Sequence, residues 1–279
     1  MKKNITPLPT LFEIVLQRYP DSSKTTIRSW LREERLLIDG KPASSLDTPL
    51  SQETSFSLAP KKKYISSRIE ILYEDKDLVV VDKPAGLLSV ATDHQKTYCV
   101  HTILKRRYHT RRVFPVHRLD RDTSGVLVFA YSEHSRDDLK KQFEAHTIER
   151  EYYALVKGSP TPSQGTWKSY LVEEKNFFVR STLDKRGKIA ITHYSVLKTN
   201  GVVSLLRLSL ETGRKNQIRV HAKDAGHPLI GDEKYNPSLS EEEHRLCLHA
   251  GRLAFQHPRL EKKLEFKSPS PYFFERLVR

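Results

Sequence analysis

Val126-Leu127-Val128-Phe129-Ala130 is an uninterrupted apolar run, rich in β-formers and too short for a typical helix. Such a run predicts a buried strand, and it places whatever precedes it at the edge of the core. What precedes it is His117-Arg118-Leu119-Asp120-Arg121-Asp122-Thr123-Ser124-Gly125. A histidine, two arginines and two carboxylates crowd into the first six of those residues. Gly125 suits a turn that brings a polar loop close to another part of the chain. Charges beside a buried strand are costly unless paired or used, so this stretch is either a structural ion-pair loop or a site.

The charge balance narrows the partner. Across 279 residues, 48 Lys and Arg stand against 34 Asp and Glu, a net charge of +14. That points to a polyanion, nucleic acid ahead of membrane, because no basic amphipathic anchor is evident. Residues 1–60 hold eight basic and seven acidic side chains, which leaves +13 with the remainder, where the charged loop lies. No apolar run approaches ~18 residues, so no membrane span is expected. The segment after Met1-Lys2-Lys3 has two prolines and no apolar core, so no signal peptide is expected either. Cys99 and Cys247 are the only cysteines, far apart and in no Cys-x-x-Cys pair. They argue against a disulfide framework or thiolate metal site and fit a reducing compartment, with the cytoplasm the expected location. His101, His109 and His117 lack compact ligand spacing, and the chain has no Gly-rich dinucleotide loop or P-loop. Neither metal nor cofactor is expected.

In chain order, Leu11, Phe12, Val15 and Leu16 recur at helical spacing behind Thr10 as N-cap. A second helix is predicted over 23–34, with Ile27, Trp30 and Leu31 inward. Lys24, Arg28, Arg32 and Arg35 form a basic ridge on it, suited to RNA phosphates. Leu36-Leu37-Ile38, an Asp39-Gly40 turn and the alternation from Thr54 to Leu58 predict two short strands. Residues 61–66 read as a basic linker, and a second domain spans 67–279. Its strands are predicted near 69–73, 78–82, 126–130, 150–156, 190–196 and 202–210, with a helix over 137–143. The basic segment 101–112, which includes Arg106 and Arg107, interleaves cations with Tyr108 in a pattern suited to RNA.

The charged loop resembles the signature His-Arg-Leu-Asp-x-x-Thr-Ser-Gly of the RluA-type RNA pseudouridine synthases, with all seven specified positions met. Lys83-Pro84-Ala85-Gly86 resembles that family's first motif, which is mainly architectural. Arg150-Glu151-Tyr152 followed by Ala154-Leu155-Val156 resembles the element carrying its active-site tyrosine, and the spacing from Arg150 selects Tyr152 over Tyr153. Thr212-Gly213-Arg214, Gln217-Ile218-Arg219, His221 and Gly226-His227-Pro228 through Asp232 resemble the third motif. Asn216 departs from it, standing where the family has a histidine. The order of elements over 1–60 is similar to an S-four-type RNA-binding domain, with Glu34-Arg35 where a glycine usually separates the second helix from its strand.

The resemblance implies an α+β fold, a mixed, mainly antiparallel central sheet with flanking helices, plus the small amino-terminal RNA-binding domain. It implies a cofactor-independent isomerase in which the bond from ribose to uracil nitrogen-1 breaks and the base reattaches through carbon-5. It assigns Asp120 as the catalytic aspartate, Arg219 as its cationic partner, and Tyr152 as the ring against the target uracil. Arg118 would fill the space left by the flipped nucleotide, and Arg214 joins Lys24, Arg28, Arg32, Arg106 and Arg107 as RNA contacts. Large-subunit ribosomal RNA is the first expected substrate and transfer RNA the second, acted on by a monomer. A non-catalytic RNA-binding factor would be expected to lack Asp120, Tyr152 or Arg219, and all three stand. A nucleoside hydrolase would need neither the amino-terminal module nor the basic body.

Overall fold

In the computed structural model, which describes residues 8–51, 53–60, 63–65, 69–92, 98–236 and 245–279, the apolar run at 126–130 lies in a strand buried along its whole length. The chain divides into two compact units, Met1–Lys62 and Lys63–Arg279. Among the described residues no helix is long and apolar enough to cross a membrane.

The first unit contains α1 (Leu11–Arg18), α2 (Lys24–Arg32), β1 (Leu36–Ile38), β2 (Lys41–Pro42) and β3 (Phe56–Leu58). Its antiparallel sheet has the order β2-β1-β3. A reciprocal capping box starts α1: Thr10 Oγ1 accepts from the Glu13 N–H, and Glu13 Oε2 accepts from the Thr10 N–H. Leu11, Val15, Ile27, Leu36 and Leu50 close the core. Asp39 and Gly40 both take left-handed φ, +48° and +76°, as a tight hairpin requires. Glu34 takes the left-handed conformation itself (φ +56°) at the place where the resemblance has glycine. Lys24, Arg28 and Arg32 are exposed on α2, with Lys24 and Arg32 at its two ends. Arg35 does not continue that ridge. It lies beyond the helix, with its guanidinium 5.7 Å from the Trp30 ring and Nε donating to the Ala59 carbonyl (2.9 Å).

The second unit begins with β4 (Lys63–Ile65), β5 (Ile69–Glu74), β6 (Leu78–Lys83), α3 (Val100–Arg107), β7 (Phe114–Pro115), β8 (Ser124–Ala130) and α4 (Glu133–Glu144). It continues with β9 (Glu149–Lys157), β10 (Gln164–Glu173), β11 (Val179–Thr182), β12 (Lys188–Thr199), β13 (Val203–Leu210) and α5 (Gln217–Asp224). β14 (Leu248–Gln256), β15 (Lys263–Lys267) and α6 (Tyr272–Leu277) complete it. One mixed sheet runs β11-β10-β12-β13-β9-β14-β8-β6-β5-β4, with β7 on β8 and β15 on β14. Every described strand pairing is antiparallel except β8 with β14. Lys63–Ile65, which reads as linker in the sequence, pairs with β5 instead. The remaining linker residues 61, 62 and 66, and the domain start at Ser67, lie outside the described residues.

The parallel junction positions the site. Gly125 of β8 pairs with Ala250 of β14, and Ala250 pairs with Tyr152 of β9, so the three form one row across the sheet. A Cβ at Gly125 would lie 2.2 Å from the Ala250 carbonyl oxygen, and φ there is +115°. Only glycine fits that crossing.

Candidate active site

The 117–123 loop, which carries Asp120, is held on both sides of that residue. Ser89 Oγ donates to the Leu119 carbonyl (2.8 Å) and accepts from the Leu119 N–H (3.0 Å). The Leu119 side chain is itself buried, in one core cluster with Leu127 and Ala250. On the other side, fully buried Lys83 donates to the carbonyls of Arg121 (2.9 Å), Leu87 (2.7 Å) and Pro84 (3.0 Å). Only the ammonium form has a proton for each of these acceptors. Burial pulls its pKa down to about 7, against the nearby carboxylates of Asp122 and Asp120.

His117 is a strut. Its Nε2 accepts from the Val128 N–H (3.2 Å), and its ring lies 4.7 Å from that of Phe143. Burial, with the Arg150 charge adding, pushes its pKa down to about 3. His221 on α5, bonded to Thr192 and Ser169, is held down to about 4, chiefly by burial. Both values lie below the ~6.5 of an unfolded histidine, so the unfolded chain takes up protons first as pH falls. Their contribution to stability is therefore full above about pH 6.5 and is lost as pH drops towards 4 and then 3. Urea unfolding is expected to show about 3 kcal/mol less stability at about pH 5.5 than at about pH 7.5. Equal stability at the two pH values would mean that neither ring is buried in its neutral form.

Asp120 opens into a cleft of about 550 Å³ that Arg118, Tyr152, Arg214, Asn216, Arg219 and Lys234 help to line. Its side chain is 32% exposed, while that of Arg219 is 11% exposed. Arg219 NH1 donates to Asp120 Oδ2 (3.3 Å), and Asn216 Nδ2 donates to the same oxygen (2.6 Å). Arg219 is fixed by a fork–fork pair with Asp232, at 2.8 and 2.6 Å, whose side chain is wholly buried. Burial opposes the Arg219 charge, but the bonds and charges of Asp232 and Asp120 outweigh it and raise the guanidinium pKa. Arg219 is thus a permanent cation.

Tyr152 lines the cleft from β9, whereas Tyr153 faces the opposite side and packs in the cluster of Leu155 and Phe274. Burial raises the Tyr152 phenol pKa, Arg150 works against that and Asp120 adds to it, so the ring is neutral near pH 7. Arg214 is anchored by Nε donation to the Ile189 carbonyl (3.0 Å). Arg118 is exposed at the cleft. Arg106 and Arg107 are exposed on α3 and do not line it. Two neighbours in the basic segment serve the protein itself, Arg111 by pairing with Glu74 (3.8 Å) and Arg112 with Glu133 (3.0 Å).

Asp75, Asp77 and His257 bring three potential metal-ligating atoms together among the described residues. They already lock one end of the sheet. His257 Nδ1 accepts from the N–H groups of Arg259 and Leu260, so Nε2 carries the proton it donates to Asp75 (2.8 Å). Asp77 pairs with Arg259 at 2.7 Å.

Residues 77–224, more than half of the chain, match the family model described as RNA pseudouridylate synthase. The chain belongs to this family. It is an RNA pseudouridine synthase of the RluA type, an isomerase acting on RNA. The Bacillus subtilis protein named uncharacterized RNA pseudouridine synthase YlyB is 33% identical over 92% of this chain and 89% of its own. Ribosomal large subunit pseudouridine synthase D of Pseudomonas aeruginosa is 32% identical over 95% of this chain and 89% of its own. The structure of human RNA pseudouridylate synthase domain containing 4 superposes with a TM-score of 0.61. It is 27% identical and covers 74% of this chain and 90% of its own.

Sequence reasoning about this synthase misses four groups that shape the cleft. Lys83 and Ser89 hold the loop, Asp232 orients Arg219, and Lys234 sits within 3.2 Å of Asn216. Asp232 lies within the third motif, which gives its position without its role, and Lys83 lies within the first, whose architectural part it plays. Ser89 carried no signal at all.

Proposed function

We propose that this synthase isomerises specific uridines in structured large-subunit ribosomal RNA, with transfer RNA the second candidate, and uses Asp120 as its catalytic carboxylate. The observation that carries this reading is a carboxylate, Asp120, held by a buried permanent cation in a basic cleft. Relatives named for the ribosomal large subunit, similar over nearly the whole chain, support the choice of RNA.

The reaction is an isomerisation. The bond from ribose carbon-1′ to nitrogen-1 breaks and the freed base turns. The bond from carbon-1′ to carbon-5 then forms, carbon-5 loses a proton, and nitrogen-1 ends protonated. Asp120 acts as nucleophile towards sugar or base, or as general base, with the Arg219 guanidinium paired to its carboxylate in the cleft. Tyr152, as a neutral phenol, is the surface against which the uracil lies and assists removal of the carbon-5 proton. Arg118, exposed at the cleft, takes the place of the flipped nucleotide, because both faces of a stacked uracil are inaccessible. Arg214, Arg106 and Arg107 contact phosphates. The protein works as a cytoplasmic monomer and needs no cofactor or metal.

The first unit serves as an S-four-type RNA-binding domain through Lys24, Arg28 and Arg32. Replacing all three by Ala is expected to weaken RNA binding and flatten its salt dependence by roughly two in slope, since each phosphate left without its cation removes about 0.7–0.9. Filter binding across a salt series checks this, and an unchanged slope would remove the ridge from the interface.

Pseudouridine mapping across ribosomal and transfer RNA tests the whole reading, comparing cells that carry the wild type with cells that carry Asp120→Asn. Loss of modification at a few ribosomal uridines is the expected result, and an identical map would overturn it.

A further inference from the structure

Asn216 occupies the N-cap position of α5, yet its side chain makes no capping hydrogen bond to the helix. An asparagine there ordinarily turns back onto the first-turn N–H groups. Here the residue is 8% exposed and its side chain spans two groups of opposite charge. Nδ2 donates to Asp120 Oδ2 at 2.6 Å, while Oδ1 accepts from Lys234 Nζ and from the Tyr235 hydroxyl, each at 3.2 Å. The two ends of the amide cannot be exchanged: a carboxylate only accepts and an ammonium only donates. Tyr235 is oriented in turn, because its oxygen accepts from the Val179 N–H (3.3 Å) and its proton is left for Asn216.

We infer that Asn216 is a positioning residue for the isomerisation, clamping Oδ2 of Asp120 together with Arg219 so that Oδ1 is the oxygen presented to the uridine. This rests on the assignment of Asp120 proposed above. The hydrogen bonds from Asn216 and Arg219 both fall on Oδ2, and among the described residues none falls on Oδ1. Arg219 alone, at 3.3 Å to one oxygen, leaves the carboxylate free to rotate about its terminal bond, whose torsional wells are broad. A second donor on the same oxygen removes that rotation.

The backbone explains which residues can serve here. Asn216 has φ +54°, a left-handed conformation that Asn, Asp and His adopt several-fold more readily than other non-glycine residues. The family's usual histidine satisfies the same two demands. One ring nitrogen of a neutral imidazole donates to the carboxylate while the other accepts from Lys234 or Tyr235.

Three variants test the inference on uridine-containing ribosomal RNA transcripts, with the wild type and Asp120→Asn alongside. Asn216→Gly keeps the left-handed backbone unstrained and removes only the amide. Its kcat is expected to fall roughly 10- to 100-fold, the loss of a hydrogen bond to a charged group, with RNA affinity unchanged and the melting temperature lowered by a few degrees as Lys234 and Tyr235 lose their acceptor. Asn216→His is expected to recover most of that rate. Asn216→Asp sets a second carboxylate against Asp120. The pair then shares a proton, and the acid limb of the kcat–pH profile moves to higher pH by about one pH unit or more.

A wild-type kcat in Asn216→Gly, a histidine variant as slow as the glycine one, or an unshifted profile in Asn216→Asp would each overturn the inference. If Asp120→Asn is as active as the wild type, the underlying assignment fails instead. The two failures are therefore distinguishable.

Discussion

Asp120→Asn is expected to bind RNA and to melt like the wild type, while forming pseudouridine about 10⁴-fold or more slowly. The substitution is isosteric, and the oxygen of the new amide still accepts from Asn216 Nδ2 and Arg219 NH1, so the loop has no reason to move. Ser89 and Lys83 hold it through main-chain atoms of Leu119 and Arg121, which the change does not touch. What disappears is the anionic oxygen that attacks or takes a proton. Tritium released from RNA labelled at uracil carbon-5 measures turnover directly, and filter binding measures affinity. Normal turnover in this variant would remove Asp120 from the mechanism. Loss of affinity together with turnover would point to a binding role.

Arg219→Met is expected to fail in two separable ways. Asp232 is wholly buried and receives both forks of the guanidinium, so removing the cation strands a buried carboxylate, at a cost of about 3–5 kcal/mol. For a unit of this size that lowers the melting temperature by roughly 6–20 °C. Turnover falls as well, because Asp120 loses the charged donor that holds its Oδ2. Adding Asp232→Asn separates the effects. A neutral amide needs no counter-charge, so the double variant is expected to regain much of the lost stability and none of the activity. Thermal melts beside tritium release check both arms. A single variant that melts like the wild type would mean the buried pair contributes nothing, and recovered activity in the double variant would mean Arg219 acts only through Asp232.

Much of the site is legible in local pattern. The apolar run at 126–130 has to be a buried strand, and the charged loop before it has to sit at the edge of the core. Strand alternation puts Tyr152 and Tyr153 on opposite faces, and the motif spacing selects the one that lines the cleft. The helices of the first unit follow from their apolar spacing and, for the first, from Thr10 as cap, while the structure shows Ser23 capping the second. β4 reads as linker in the sequence because three residues carry no period of their own. An edge strand that short exists only through its pairing with β5. Arg35 looks like a fourth member of the basic ridge because sequence spacing does not show where a helix stops, and α2 stops at Arg32.

What the chain determined by itself was the kind of chemistry: which residue types stand at which spacing, on strands and helices whose periodicity is local. Only the tertiary structure decided the working state of those residues. Asn216 and Asp120 are 96 positions apart, Lys83 and Arg121 are 38, and Ser89 and Leu119 are 30. Hydrogen bonds at such separations are set by the register of the β8–β14–β9 row and the placement of α5, which no local periodicity encodes. The same distinction explains Lys83. In the sequence it opens a motif marked only as architectural, and burial with three carbonyl partners makes it the pin of the loop that carries Asp120.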